Sequence, residues 1–196
     1  SAFGMYSLYS NTTGTQNTAH GYAALFSNTT ASNNTAVGFK ALDANTTGTE
    51  NHAFGSYALD ANTTGNSNSA YGLNLLGANT TASNNSAYGV DSLRFNTGAS
   101  NTAVGKSALQ SNTTASNNTA VGYTAGYSNT TGAQNTSVGM SALYGNTTGS
   151  DNTAIGQGTL QNNTTGGSNV AVGRASLSVN TTGSNNVSVG RSALGA

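Results

Sequence analysis

The chain contains no cysteine, so neither a disulfide framework nor a thiolate metal site is open to it. Charge is nearly absent as well: 5 Lys and Arg stand against 5 Asp and Glu among 196 residues, and only 5% of positions are charged. Nucleic acid or an anionic membrane held by charge needs clustered cations, and the composition argues against both as partners. There is no proline. Low charge without proline is also the wrong signature for disorder, which usually combines high net charge with much proline. No run approaches the ~18 apolar residues of a membrane span, so no membrane insertion is expected of this segment. The opening SAFGMYSLYS has neither the basic n-region nor the apolar h-region of a signal peptide. Since it already lies inside a repeat, the chain is expected to be a piece of something longer. Hydrophobic content, glycine not counted, is 35%, and a thick core is not expected.

What is present is repetition. The stretch Asn101 to Asn117, NTAVGKSALQSNTTASN, recurs with variation along the whole chain. The glycine of its NTAVG phrase returns from Gly4 to Gly190 every 17 residues, with one step of 16 between Gly89 and Gly105. The short step comes from a single Thr97 where other repeats have two threonines. Four residues after each glycine stands a leucine, from Leu8 to Leu194, except where Gly126 takes the slot. Two residues before each glycine is Ala or Ser. One asparagine column, Asn17 to Asn186, opens the NTAVG phrases, and a second, Asn11 to Asn180, opens the NTT phrases.

Asn, Thr, Ser and Gly are poor in helix interiors, and the apolar positions make no helical stripe. TAVG alternates over a few residues, whereas NTTG and ASNN are turn material. Each unit therefore reads as two short strands joined by two polar turns. Ordering backbone costs roughly 1–2 kcal/mol per residue, and one buried leucine returns only about 1.5–3 kcal/mol. A lone unit cannot fold, so copies must stack about 4.8 Å apart and share a core. The expected fold is all-β: a parallel β-solenoid, or β-roll, of about twelve 17-residue coils forming one domain over residues 1–196.

The columns divide the work. Ala/Ser and Leu keep their size and are expected inside; the glycine marks positive φ or a close approach; the asparagines are expected to form amide ladders. The NTT threonines are expected on an exposed edge. The residue before the glycine varies too much for a tight interior: Phe3, His20, Val37, Phe54, Tyr71, Tyr88, Val104, Val121, Val138, Ile155, Val172 and Val189. It is placed on an apolar outer face covered by another chain.

The phrases NTAVG (Asn34 to Gly38, Asn101 to Gly105, Asn118 to Gly122), NTAIG (Asn152 to Gly156), NVAVG (Asn169 to Gly173) and NVSVG (Asn186 to Gly190) resemble the head repeats of trimeric autotransporter adhesins. With the added NTTG turn they are similar to repetitive shafts of bacteriophage tail fibres. The resemblance covers essentially the whole chain. It implies a left-handed parallel β-roll, three chains side by side around an axis, and a role in surface attachment at a cell surface or virion tail. On that pattern the residue before glycine faces the trimer axis. The repeat here is longer than in the best-known adhesin heads, and its second position is usually Thr rather than Val.

Candidate chemistry is sparse. His20 and His52 fall in different columns, two coils apart, and make no ready-made metal pair. Three copies of His20 on a threefold axis would gather imidazoles able to hold an anion or metal. Asp43 and Asp60 share a column in adjacent coils, about 5 Å apart, where Ca²⁺ or solvent would relieve their repulsion. No nucleophile, base and orienting acid can be assembled, so the chain reads as a non-enzyme, without cofactor. Asn11, Asn28, Asn45, Asn62, Asn79, Asn112, Asn129, Asn146, Asn163 and Asn180 fit the N-x-[ST] acceptor pattern, read either as turn residues or as glycan acceptors in a glycosylating pathway. Aromatics concentrate in the first half and serve either interchain packing or a receptor or glycan platform. The expected function is an extracellular rigid shaft or head for attachment, its partner a further copy of itself. The alternatives are a self-assembling filament subunit, for which open strand edges at both ends would serve, and, more distantly, an ice-binding protein using a flat threonine face.

Overall fold

The computed structural model describes residues 1–195. One short strand per repeat is extended: β1 (Ala2–Phe3), β2 (Thr18–His20), β3 (Thr35–Val37), β4 (His52–Phe54), β5 (Ser69–Tyr71), β6 (Ser86–Tyr88), β7 (Thr102–Val104), β8 (Thr119–Val121), β9 (Thr136–Val138), β10 (Thr153–Ile155), β11 (Val170–Val172) and β12 (Val187–Val189). They hydrogen-bond in sequence order as a single 12-stranded parallel sheet, which makes the chain a β-solenoid. Register is like against like: Ala19 pairs Ala36 and Ala36 pairs Ala53. It survives the short repeat, where Ala87 still faces Ala103. The missing threonine is absorbed in a turn, because a one-residue slip in the strand would turn every inward side chain outward.

The second strand expected in each repeat does not form. Three non-glycine columns adopt left-handed backbone: the second residue after the glycine (Ala23 φ 54°), the leucine (Leu25 φ 52°), and the residue before the strand-opening asparagine (Asn33 φ 62°). Two left-handed residues within three positions break the extended geometry that a strand needs. Coil-to-coil bonding continues there nonetheless, since Leu25 N–H donates to Ala41 C=O at 3.0 Å and Ser27 N–H to Asp43 C=O at 3.0 Å. Left-handed leucine is disfavoured by roughly 1–2 kcal/mol. It persists because the stack above and below leaves the side chain nowhere else to be buried.

The recurring glycine meets both of its expected demands. At Gly122 φ is 137°, and a Cβ there would stand 2.6 Å from the Gly139 carbonyl oxygen of the next coil. Its position lets the backbones of successive coils touch at the corner after the strand.

The interior is half hydrocarbon and half amide. The strand alanines (Ala19, Ala36, Ala53), the residue before the leucine (Ala24, Ala41, Ala58) and the leucines themselves (Leu25, Leu42, Leu59) are fully buried. Opposite them run the two asparagine columns. In the NTT column Asn45 Nδ2 donates to Asn28 Oδ1 at 3.0 Å and to the Gly48 carbonyl at 2.9 Å, and its own Oδ1 accepts from Asn62 Nδ2 at 2.9 Å. In the strand-opening column Asn34 Oδ1 accepts from the Asn51 backbone N–H at 2.9 Å, while Asn34 Nδ2 donates to the Gly48 carbonyl at 2.8 Å. Amides can be buried here because their donors and acceptors find partners in the same or the adjacent coil, with Asn79 Oδ1 and Asn118 Nδ2 the exceptions among the described residues. The hydrocarbon half divides at Gly126: one cluster runs from Ala19 to Ala125 and a second from Ala142 to Leu177.

Candidate functional site

Two surfaces stand out from the uniform coil. The first is the outer face of the sheet. In a three-residue strand the middle residue points in and its neighbours point out, so the column before the glycine faces solvent. Phe3, His20, Tyr71, Tyr88, Val104, Val121, Ile155 and Val189 are exposed, and Val37, Phe54, Val138 and Val172 are half-buried. Neighbours in the column cover one another: Phe54 stacks on Tyr71 at 4.7 Å between ring centroids, and Tyr71 on Tyr88 at 5.0 Å. These separations are one coil rise. Even so, Val104 and Val121 each remain 38% exposed, so the column is an apolar stripe, and beyond the glycine a second column exposes Met5, Tyr22, Phe39, Leu73, Val90 and Tyr123. His20 lies at its first-coil end, tilted against Phe3 at 6.0 Å. His52 is exposed on the other outward column of the sheet, apart from His20. Among the described residues no group of three or more His, Asp or Glu side chains is gathered as metal ligands would be.

The second surface lies between the strand and the NTT turn, in the first six coils. A cleft of about 400 Å³ is lined by Tyr57, Asp60, Asn74, Gly77, Arg94 and Phe95. A neighbouring cleft of about 370 Å³ is lined by Tyr6, Tyr9, Tyr22, Phe26, Lys40 and Asp43. Tyr9 stacks on Phe26 at 5.3 Å and Tyr22 on Phe39 at 5.3 Å, giving this end a pavement of rings. Asp43 is paired with Lys40 at 3.4 Å. Asp60, in the same column, forms no ion pair among the described residues: burial raises its pKa above the ordinary carboxyl value, its own N–H and that of Ala61 pull the other way, the Asp43 charge adds to the rise and the Lys40 charge opposes it. The like-charge pair predicted in the sequence is therefore present, but Lys40 sits on one member of it. Following the column of Asp43 and Asp60 two coils further, to Gly77 and then Arg94, gives the cleft wall, and that continuation was legible in the repeat alignment.

The N-x-[ST] asparagines lie inside the coil rather than on its edge. Asn28, Asn45, Asn62, Asn79, Asn112, Asn129, Asn146 and Asn163 are buried, and Asn11 and Asn180 half-buried. Asn129 Nδ2, for example, donates to Asn112 Oδ1 at 2.7 Å and to the Gly132 carbonyl at 2.8 Å. A sugar on that nitrogen would have to occupy the interior of the coil, so the folded solenoid has no room for one. The exposed part of the phrase is its second threonine, as at Thr30 and Thr47. The first threonine is tied down, with Thr46 Oγ1 donating to the Thr63 carbonyl at 3.1 Å.

The class defined by this architecture is the parallel β-solenoid built from tandem repeats. The chain matches no protein-family model, no curated protein and no solved structure.

Proposed function

We propose that the chain is a rigid shaft or head segment of an extracellular attachment fibre, assembled as three copies side by side through the outer face of the sheet. The observation that carries this reading is the apolar stripe from Phe3 to Val189, which runs unbroken but for His20 along the outer face of the sheet. Continuous exposed apolar surface of this kind marks an interaction face. A straight stripe at one coil spacing is matched best by another copy of the same stripe, because the repeats of both then stay in step. The adhesin-like and tail-fibre-like phrases support the same arrangement. Function in such a rod is mechanical: its in-register sheet and buried amide ladders hold length and direction, and binding groups ride on its sides.

Sedimentation tests the assembly. The expected species has three times the chain mass of 19.4 kDa, and Val104→Glu with Val121→Glu should reduce it to monomer while far-UV circular dichroism is kept. A wild-type monomer would overturn the trimer, and an open distribution of lengths would favour a filament instead.

A further inference from the structure

We propose that the cleft between Asp60 and Arg94 binds a neutral saccharide. The starting point is Gly77. The corner glycines are forced by positive φ and by backbone contact, but Gly77 has neither constraint: a Cβ there would meet nothing nearer than the Arg94 carbonyl and Asp60 Oδ1, both at 3.7 Å. Its column carries Phe26, Asp43, Asp60, Arg94 and Tyr127 in other coils, so a large side chain is accommodated there. The glycine is thus not needed by the fold, and its effect is to open the cleft.

The lining is suited to hydroxyl groups. Asp60 supplies carboxylate acceptors on the cleft wall. Arg94 supplies donors across the gap, steadied by Asp91 at 3.4 Å and by the Phe95 ring at 5.3 Å from its guanidinium. Asn74 offers both donor and acceptor, and Tyr57 and Phe95 offer ring surface for the C–H face of a sugar. Volume of about 400 Å³ falls in the range of small-ligand sites. Asp60 opposes anionic sugars, and Arg94 is already partnered by Asp91, so a neutral ligand fits best. An extended peptide does not fit, because the backbone groups it would pair with are already used: Leu59 N–H donates to the Leu75 carbonyl and Ala78 N–H to the Arg94 carbonyl, both at 3.0 Å. Lys40 and Asp43 of the ring-paved cleft occupy the columns of Tyr57 and Asp60 one coil earlier, so the two clefts lie on the same side of the rod in adjacent coils. An oligosaccharide, rather than a single sugar, matches the length of the two together.

The proposal rests on the attachment reading only for its biological setting, and none of the cleft residues lies in a strand of the proposed chain interface. The test titrates the full chain by calorimetry with the hexasaccharides of cellulose, amylose, chitin and mannan, and with an acidic uronic-acid hexasaccharide. At least one neutral hexasaccharide should bind with a Kd of about 1 mM or tighter. Gly77→Phe should weaken it tenfold or more, with circular dichroism and the unfolding midpoint preserved. Arg94→Gln should weaken it while leaving the cleft open, which keeps the test valid if Gly77→Phe fails to fold. Absence of neutral binding up to about 10 mM, binding of the acidic sugar alone, or affinity unchanged in both variants would overturn the site. Sedimentation of the same samples separates the readings: a monomer that binds sugar retains the site and loses the trimer, and a trimer that binds none does the reverse.

Discussion

Asn96 does not reach Asn79. Elsewhere in the NTT column each asparagine donates to the one before it, but Asn96 Nδ2 turns to the Gly98 carbonyl at 2.7 Å, two residues on, and Asn79 Oδ1 is left buried without a donor. The cause is the single threonine of this repeat, which shortens the turn by one residue and rotates the amide out of the ladder. Asn112 resumes the column by donating to Asn96 Oδ1 at 2.6 Å.

Inserting a threonine between Thr97 and Gly98 should therefore stabilise the protein. It restores the common turn, and a buried unsatisfied polar group costs about 1–3 kcal/mol. A rise of about 1 kcal/mol in unfolding free energy, from urea titration, is the expected result.

The ladder itself should be intolerant of charge. Asn45→Asp keeps the shape but sets carboxylate oxygens against Asn28 Oδ1 and the Gly48 carbonyl, both of which now receive hydrogen bonds from Asn45. A loss of about 3 kcal/mol or more is expected. Thr47→Ala, two residues away and exposed, should stay within about 0.5 kcal/mol. In a glycosylating host, mass spectrometry of the folded fraction should find Asn45 unmodified.

Gly126 and Gly122 should respond in opposite directions. Gly126 stands in the leucine column with φ 61°, near the values its leucine counterparts adopt, and a Cβ there would meet the movable Leu109 Cδ2 at 3.0 Å. Gly126→Leu rejoins the two core clusters; burial worth about 1.5–3 kcal/mol, less roughly 1–2 for the left-handed backbone, leaves a gain of about 1. Gly122→Ala drives a Cβ to 2.6 Å from the Gly139 carbonyl oxygen at φ 137°. It should lose about 3 kcal/mol or more, read from the same urea midpoints.

Asp60 should give the protein an unusual acid response. Its folded pKa is raised, chiefly by burial, so folding favours the protonated form. The stability it contributes is complete below the unfolded carboxyl value of about 4 and is lost as pH rises through the higher folded value. Thermal midpoints should thus rise as pH falls across that interval. Asp60→Asn should raise the midpoint at neutral pH and flatten this part of the profile.

Much of this was legible along the chain. Spacing marked Ala103 and Leu109 as interior, Gly105 as the corner and Val104 as outward, because a column of constant size and a column of variable size answer to different neighbours. The single strand per coil was not legible. Leucine in left-handed backbone runs against its local preference, and only the coils above and below impose it. The cleft was half visible: Asp43 and Asp60 share a column in the sequence, whereas nothing local marks Gly77 in that column as an opening.

The repeat alone determined that the chain stacks in register as a parallel solenoid, since a unit too small to bury its leucine has no other stable state and identical units match best at one coil spacing. Tertiary structure decided where the asparagines go. An NTT phrase taken by itself is an exposed turn and a glycan acceptor, and nothing local distinguishes that from an interior position. Once coils stack, an amide such as that of Asn45 finds its complements 17 residues away on either side, the penalty for burying it is offset, and the most polar side chain of the repeat becomes part of the core.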